Sequence, residues 1–276
     1  MIVSFHPWFK ADKNIICAGR EPDSGDLAAV KTADAVVLPQ GCYKSLYEMA
    51  RDNCANVFPD FDAKFKYPGK IGQIKLFQEK AVAYPKTETF PSIENYLYHY
   101  GEFSNQFPFS LPFVFKFDWG GEGENVYLIK SVKDLQGVLQ KAAIYESTGQ
   151  AGFLMQEYIS SQNRSLRVVV INRKIITYWR ILKNREGFCS NLSQGAVIDF
   201  DVDPDLQEMA AFSVKNFCKQ AKINLAGIDI LFSSDVQIKE PFFLEINYFF
   251  GRKGLGGSEK YYELLVAEIR RWIKSL

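Results

Sequence analysis

Histidine is almost missing from this chain: His6 and His99 are the only two among 276 residues. The five cysteines (Cys17, Cys42, Cys54, Cys189 and Cys218) are scattered and never fall in a Cys-x-x-Cys spacing. A zinc centre is therefore not expected, and an odd set of free thiols suits a reducing cytoplasm. An excess of one charge is missing too. Thirty-three Lys and Arg against 32 Asp and Glu leave a net +1, which gives no electrostatic footprint for nucleic acid. No apolar run is long enough to cross a bilayer, so no membrane role is expected. The opening Met1-Ile2-Val3-Ser4-Phe5-His6-Pro7 lacks the basic stretch and apolar core of a signal peptide. Gly19 stands alone, so there is no dinucleotide fingerprint, and neither repeats nor low-complexity tracts occur.

What is present is globular: 47% hydrophobic and 24% charged residues, with 23 Phe and 14 Tyr, enough for one large or two modest cores. Residues 1–65 read as a small α/β unit. Its strand candidates are Ile2–Phe5, Asn14–Ala18 and Ala33–Pro39, followed by a helix over Tyr43–Asn53 and a closing Val57-Phe58-Pro59. Helical spacing recurs over 70–82 and in Ile93–Tyr100 behind Ser92. It appears again from Ser131 to about Glu146, over Asp205–Lys222 with a stripe of Leu206, Met209, Ala210, Phe217 and Ala221, and over Glu259–Lys274. Strands are expected at Pro112–Phe117, Val126–Ile129, Phe153–Ile159, Leu166–Ile171, Lys174–Leu182, Leu225–Phe232 and Pro241–Ile246. A polar loop fills 183–196.

The chemistry concentrates near the C-terminus. Gly227-Ile228-Asp229-Ile230-Leu231 and Phe243-Leu244-Glu245-Ile246-Asn247 read as neighbouring strands. Alternation places Glu245 and Asn247 on one face. With Asp229 opposite, three oxygen ligands carrying two negative charges would suit a hard cation, Mg²⁺ above all. The same residues are equally well read as a strand end and the entry to a glycine-rich loop. Upstream, Lys116 leaves a strand into Gly120-Gly121-Glu122-Gly123. Such a loop either lets backbone N–H groups approach polyphosphate or only turns a hairpin. Lys70 at a helix start is a phosphate contact or a solvated charge. Arg167 and Arg180, inside apolar strands, each require a partner, which a structural carboxylate or a ligand phosphate would supply.

Taken in order, these pieces resemble the ATP-grasp superfamily over about residues 66–257, and most of all the branch holding the ribosomal-protein glutamate ligase and bacterial glutathione synthetase. The matching stretches are Met155-Gln156-Glu157-Tyr158-Ile159, Ser190-Asn191-Leu192, Gly227-Ile228-Asp229-Ile230-Leu231 and Leu244-Glu245-Ile246-Asn247. The resemblance implies an α+β ATP-grasp fold, two α+β subdomains gripping ATP, preceded by a small α/β domain over 1–65. The grasp would occupy 66–276, with a lid at about 88–157 and a catalytic part at about 158–276.

By the same resemblance, Lys70 and Lys116 would bind ATP phosphates. Glu157 and Ile159 would hold the adenine edge beside Gln156, with Tyr158 between them. Asp229, Glu245 and Asn247 would hold two Mg²⁺ ions, for which Mn²⁺ would substitute. Arg180 and Asn191 would face the γ-phosphate and an acyl phosphate, with Arg167 in support. Ser165 stands where relatives carry an acid for the ribose hydroxyls, with Asn163 nearby. Cys189 replaces an arginine of the glutamate ligase, Ser193-Gln194 replaces a His-Arg pair, and Tyr248-Phe249-Phe250 replaces small residues and proline. The expected activity is ATP-dependent ligation of a carboxylate to an amine, both small molecules or peptides, with homo-oligomerisation left open. A small-molecule kinase and a non-catalytic nucleotide-binding regulator are the alternatives.

Overall fold

The computed structural model describes residues 1–17, 19–101, 107–120, 125–182, 195–235 and 239–276. These residues form three sheets.

The first is parallel, in the order β2-β1-β3-β4: β1 (Ile2–Ser4), β2 (Lys13–Asn14), β3 (Ala35–Val37) and β4 (Val57–Phe58). Its helices are α1 (Ser24–Lys31) and α2 (Lys44–Asn53). Val3, Val36, Leu46, Tyr47 and Phe61 close a core between them. The strand expected over Asn14–Ala18 is found at Lys13–Asn14, with Ile15 N–H donating to Ser4 O at 2.8 Å just beyond it; Ala18 lies outside the described residues. Helix α1 buries Ala29 and Val30 in that core and is capped at its start: Asp23 accepts from the N–H groups of Gly25 and Asp26, and the Asp26 carboxylate accepts in return from Asp23 N–H.

After α3 (Asp62–Lys66) comes α4 (Gly69–Glu79), which ends before Val82 because Ala81 takes a left-handed φ of 50°. The second sheet is antiparallel, in the order β5-β8-β6-β7: β5 (Thr87–Phe90), β6 (Phe113–Phe117), β7 (Val126–Ile129) and β8 (Phe153–Glu157). One face is aromatic. Phe113, Phe115, Phe117 and Phe153 pack under α5 (Ile93–Tyr100) and α6 (Val132–Ser147). Both helices are capped by the serine that the sequence indicates: Ser92 accepts from Asn95 N–H at 3.1 Å and Ser131 from Asp134 N–H at 3.2 Å.

The third sheet carries the chemistry. Its order is β11-β10-β9-β12-β13, antiparallel throughout: β9 (Arg164–Ile171), β10 (Lys174–Ile181), β11 (Val197–Asp199), β12 (Leu225–Leu231) and β13 (Phe242–Asn247). Strands β9 and β10 meet through Asn172-Arg173, with Asn172 at φ 52°, the left-handed conformation a two-residue hairpin needs. Leu166, Val168, Trp179, Ile228 and Ile230 bury one face against α4 and α7 (Pro204–Ala221). The stripe of α7 differs from expectation at one place. Met209 is exposed, and Gln207 is buried instead, donating to the carbonyls of Phe200 and Val202 and accepting from the Thr177 hydroxyl. A buried amide with these bonds made loses little. The other face divides. Half of it, around Val169, Ile171, Tyr178 and Leu225, packs on α8 (Ser258–Ile273) and on Phe9, Val37 and Phe58 of the first unit. The remaining half is polar.

Candidate functional site

Register assembles the polar half. Asp229 pairs across with Arg167 on one side and Glu245 on the other; Arg180 pairs with Ser165, and Asn247 with Gly227. Paired residues share a face. Ser165, Arg167, Arg180, Asp229, Glu245 and Asn247 therefore converge; alternation in the sequence places only Glu245 and Asn247 together, and the register brings in the other four. A bulge between Asp229 and Ile230 skips Leu244, so that Phe243 still turns to the apolar side below Glu245.

Asp229 is the centre of this group. Its Oδ1 accepts from Arg167 Nε at 2.5 Å and from Arg180 Nη2 at 2.8 Å; its Oδ2 accepts from Arg167 Nη2 at 3.1 Å and from Asn247 Nδ2 at 3.2 Å. Arg167, Arg180 and Asp229 are all buried. Burial pushes the Asp229 carboxyl up, but the two guanidinium groups outweigh it and hold the group below the ordinary carboxylate range. Arg167 moves oppositely: burial disfavours its charge, and Asp229 more than restores it. The partner the arginines require is thus a structural carboxylate. Arg180 also donates to the Ser165 hydroxyl at 2.9 Å, while its buried Nε finds no hydrogen-bond partner among the described residues. Gly227 makes room for Arg167: a Cβ there would lie 2.9 Å from its Nη1 and 3.1 Å from its Cδ.

Glu245 differs from Asp229. It is half-buried and, among the described residues, makes no hydrogen bond or ion pair. No cluster of three or more His, Cys, Asp or Glu able to hold an ion occurs among those residues. The candidate set is therefore two carboxylates and one amide. These are hard oxygen donors, of the number Mg²⁺ takes when phosphate and water complete its shell. They fit that ion.

A second group sits on the inner face of the second sheet. Lys116 Nζ donates to Gln156 Oε1 at 2.7 Å, and Gln156 Nε2 to the Thr87 hydroxyl at 2.8 Å. Lys70, buried at the start of α4, donates to the carbonyls of Trp119 at 3.2 Å and Gly120 at 3.0 Å. Lys70 thus grips the entrance of the glycine loop. Gly120 lies at φ 85°, and a Cβ there would meet Asn125 Nδ2 at 2.8 Å. Gly121, Gly123 and Asn191 lie outside the described residues. Glu157 ends β8, where its N–H donates to Lys86 O at 2.9 Å, and Tyr158 and Ile159 follow it into the segment joining the two antiparallel sheets.

Helix α4 connects the groups, and here sequence reasoning missed two residues. Asp118 caps α4 from outside, accepting from Ile71 N–H at 2.7 Å. Gln73 reaches β13: its Nε2 donates to Ile246 O at 2.9 Å, and its Oε1 accepts from Ile246 N–H at 2.8 Å. The one available signal for Gln73 is its place three residues after Lys70.

Residues 69–273 match the RimK-like ATP-grasp domain. No curated protein matches the chain. Solved structures do. A RimK-domain ATP-grasp protein from Sphaerobacter thermophilus superposes with a TM-score of 0.59 at 13% identity, covering 97% of this chain and 99% of that one. The ADP complex of an N5-carboxyaminoimidazole ribonucleotide synthetase gives 0.59 at 12% identity, over 86% of this chain and 59% of that one. An L-amino acid ligase from Bacillus licheniformis gives 0.56 at 12%, over 88% and 57%. The chain thus spans less than two thirds of the length of the last two, and at these identities the likeness is one of fold. Because the matched domain covers most of its length, the chain belongs to the RimK-like ATP-grasp family and has the ATP-grasp fold.

Proposed function

We propose that the protein is an ATP- and Mg²⁺-dependent carboxylate–amine ligase working through an acyl phosphate. The observation that carries this reading is the gathering of Arg167, Arg180, Asp229, Glu245 and Asn247 on one sheet face. A carboxylate attacking a triphosphate meets like charge, and a site for that reaction must cancel it. Arg180 offers a buried guanidinium whose Nε–H is unpaired among the described residues, suited to an incoming anion. Arg167, locked to Asp229 at both ends, holds the carboxylate in place. Ser165 would reach a ligand mainly through Arg180, to which it is bonded. Asp229, Glu245 and Asn247 would hold the two Mg²⁺ ions, or Mn²⁺ in their stead, which when bound neutralise phosphate charge.

Lys116 and Lys70 would supply cations from the opposite wall, and Gln156 to Ile159 the strip along which the base lies. In this reading residues 1–65 precede the grasp, 88–157 form its lid and 158–276 its catalytic part. The lid would keep water from an acyl phosphate, which water destroys. The substrates are a small-molecule or peptide acid and amine.

The test is product analysis with panels of acids and amines, hydroxylamine included. Release of ADP and inorganic phosphate should require both an acid and an amine, with hydroxamate formed from hydroxylamine. A phosphorylated product without free phosphate would replace the ligase by a kinase. ATP bound without any turnover would leave a nucleotide-binding regulator.

A further inference from the structure

The backbone between the two outer metal ligands is held from outside the sheet. Glu245 and Asn247 flank Ile246 on β13, the last strand of its sheet. An edge strand turns alternate N–H and C=O groups away from its neighbour, and unpaired they leave the strand free to shift. At Ile246 both groups are taken by a single side chain. Gln73 donates to the carbonyl at 2.9 Å and accepts from the N–H at 2.8 Å, imitating one rung of a ladder. Such a second hold matters here because the regular ladder on the other side fails beside Glu245. The bulge between Asp229 and Ile230 leaves Leu244 without a register partner on β12, so β12 alone fixes Glu245 loosely.

Docking α4 onto the sheet does not require this amide. Ile74, Leu76 and Phe77 of the same helix are already buried in the core beneath. A glutamine bonded twice to one backbone residue adds direction, which apolar contact does not supply. One turn earlier on α4, Lys70 holds the carbonyls of Trp119 and Gly120, so the same helix grips the glycine loop and the ligand strand.

We propose that Gln73 is a positioning residue for the metal pair, holding Glu245 and Asn247 in the register at which both side chains reach one ion. This rests on the reading of Asp229, Glu245 and Asn247 as metal ligands.

The test is titration of Mn²⁺ into the full-length protein with saturating ADP, following the free-ion signal by electron paramagnetic resonance. Gln73→Met keeps length and apolar packing and removes donor and acceptor; Ile74→Val perturbs the same helix through its core face. Gln73→Met should weaken Mn²⁺ binding about 10- to 100-fold, the usual size of an outer-shell loss. Metal-free ADP binding should stay within about twofold, and the Ile246 amide should exchange faster with deuterium. Ile74→Val should lower the melting temperature and leave Mn²⁺ affinity unchanged. If Gln73→Met lowers only the melting temperature, as Ile74→Val does, Gln73 merely docks the helix and the proposal fails. Should Gln73→Met not fold, Gln73→Glu serves, since it keeps the acceptor for Ile246 N–H and opposes the carbonyl; unchanged Mn²⁺ affinity in that variant overturns the proposal equally. Wild-type protein that binds no Mn²⁺ with ADP, or binding that survives Glu245→Gln, would instead overturn the metal-ligand reading, and the inference with it.

Discussion

Asp229 and Glu245 face each other across two strands, yet their environments assign them different work. Asp229 is buried between Arg167 and Arg180, and removing its charge strands two cations in the interior. Asp229→Asn should therefore cost about 3–5 kcal/mol in urea unfolding. Among the described residues Glu245 has no hydrogen-bonded or ion-paired partner. Glu245→Gln should leave stability within about 0.5 kcal/mol while lowering ATP-dependent ADP formation at least 100-fold. Equal destabilisation by the two variants would contradict this division. A third titratable group belongs to the first unit. His6 is buried, and burial together with the nearby Arg252 charge lowers its pKa from 6.5 to about 4. Its Nδ1 accepts from Trp8 N–H at 3.2 Å, a bond open only to the neutral ring. Below pH 6.5 the unfolded chain takes up a proton that the folded chain refuses. Stability should fall by about 3 kcal/mol between pH 6.5 and 4 from this group, then level off. His6→Asn, whose Oδ1 can still accept from Trp8, should flatten that part of a melting-temperature profile.

Helix α4 takes its N-terminal cap from outside itself. Pro68 at its N-cap offers no side-chain bond, and Asp118 accepts from Ile71 N–H in its place. Asp118→Ala should cost about 1–2 kcal/mol, measured by thermal unfolding, and should release Lys70 from the glycine loop. This helix also shows where the sequence speaks and where it is silent. Its span follows from Ile74 and Phe77, its cap from nothing local, because Asp118 lies 47 residues on. Strands β12 and β13 are legible because two apolar runs stand close together with one carboxylate in each; alternation puts Glu245 and Asn247 on one face, while the pairing of Asp229 with Glu245 is set by the register, which the sequence leaves conditional. The demand of Arg180 for a partner is legible as well, though not which partner, since hydrogen-bond pairing between distant strands leaves no local trace. Strand β5, Thr-Glu-Thr-Phe, carries no strand signal of its own: three of its four residues are polar, and its pairing with β8 comes from tertiary contact. Gln73, 173 residues from Ile246, lies beyond any periodic signal.

At the scale of the molecule, the first 65 residues are tied to the remainder through a shared core. Phe9, Val37 and Phe58 pack with Val169, Ile171, Leu225, Tyr261 and Ile269. Polar bonds reinforce the seam: Asp60 N–H donates to Asn224 Oδ1 at 2.8 Å, and the Tyr261 hydroxyl to Gln40 Oε1 at 3.1 Å. A chain beginning at residue 66 would expose this apolar surface. It should fail to give a cooperative near-ultraviolet melt, whereas the intact chain should unfold in one transition by Trp fluorescence and far-ultraviolet dichroism alike. Ile269→Ala, on the last helix, should cost about 2–5 kcal/mol, and loss at that site should be felt by both units together. The outer side of β13 has a consequence of its own. Phe243 N–H donates to Ala83 O, and both backbone groups of Ile246 are taken by Gln73. Strand addition by a neighbouring copy needs those same groups. A second copy could therefore not extend this sheet past β13 without first displacing Gln73 and Ala83 from the margin that carries the candidate ligands.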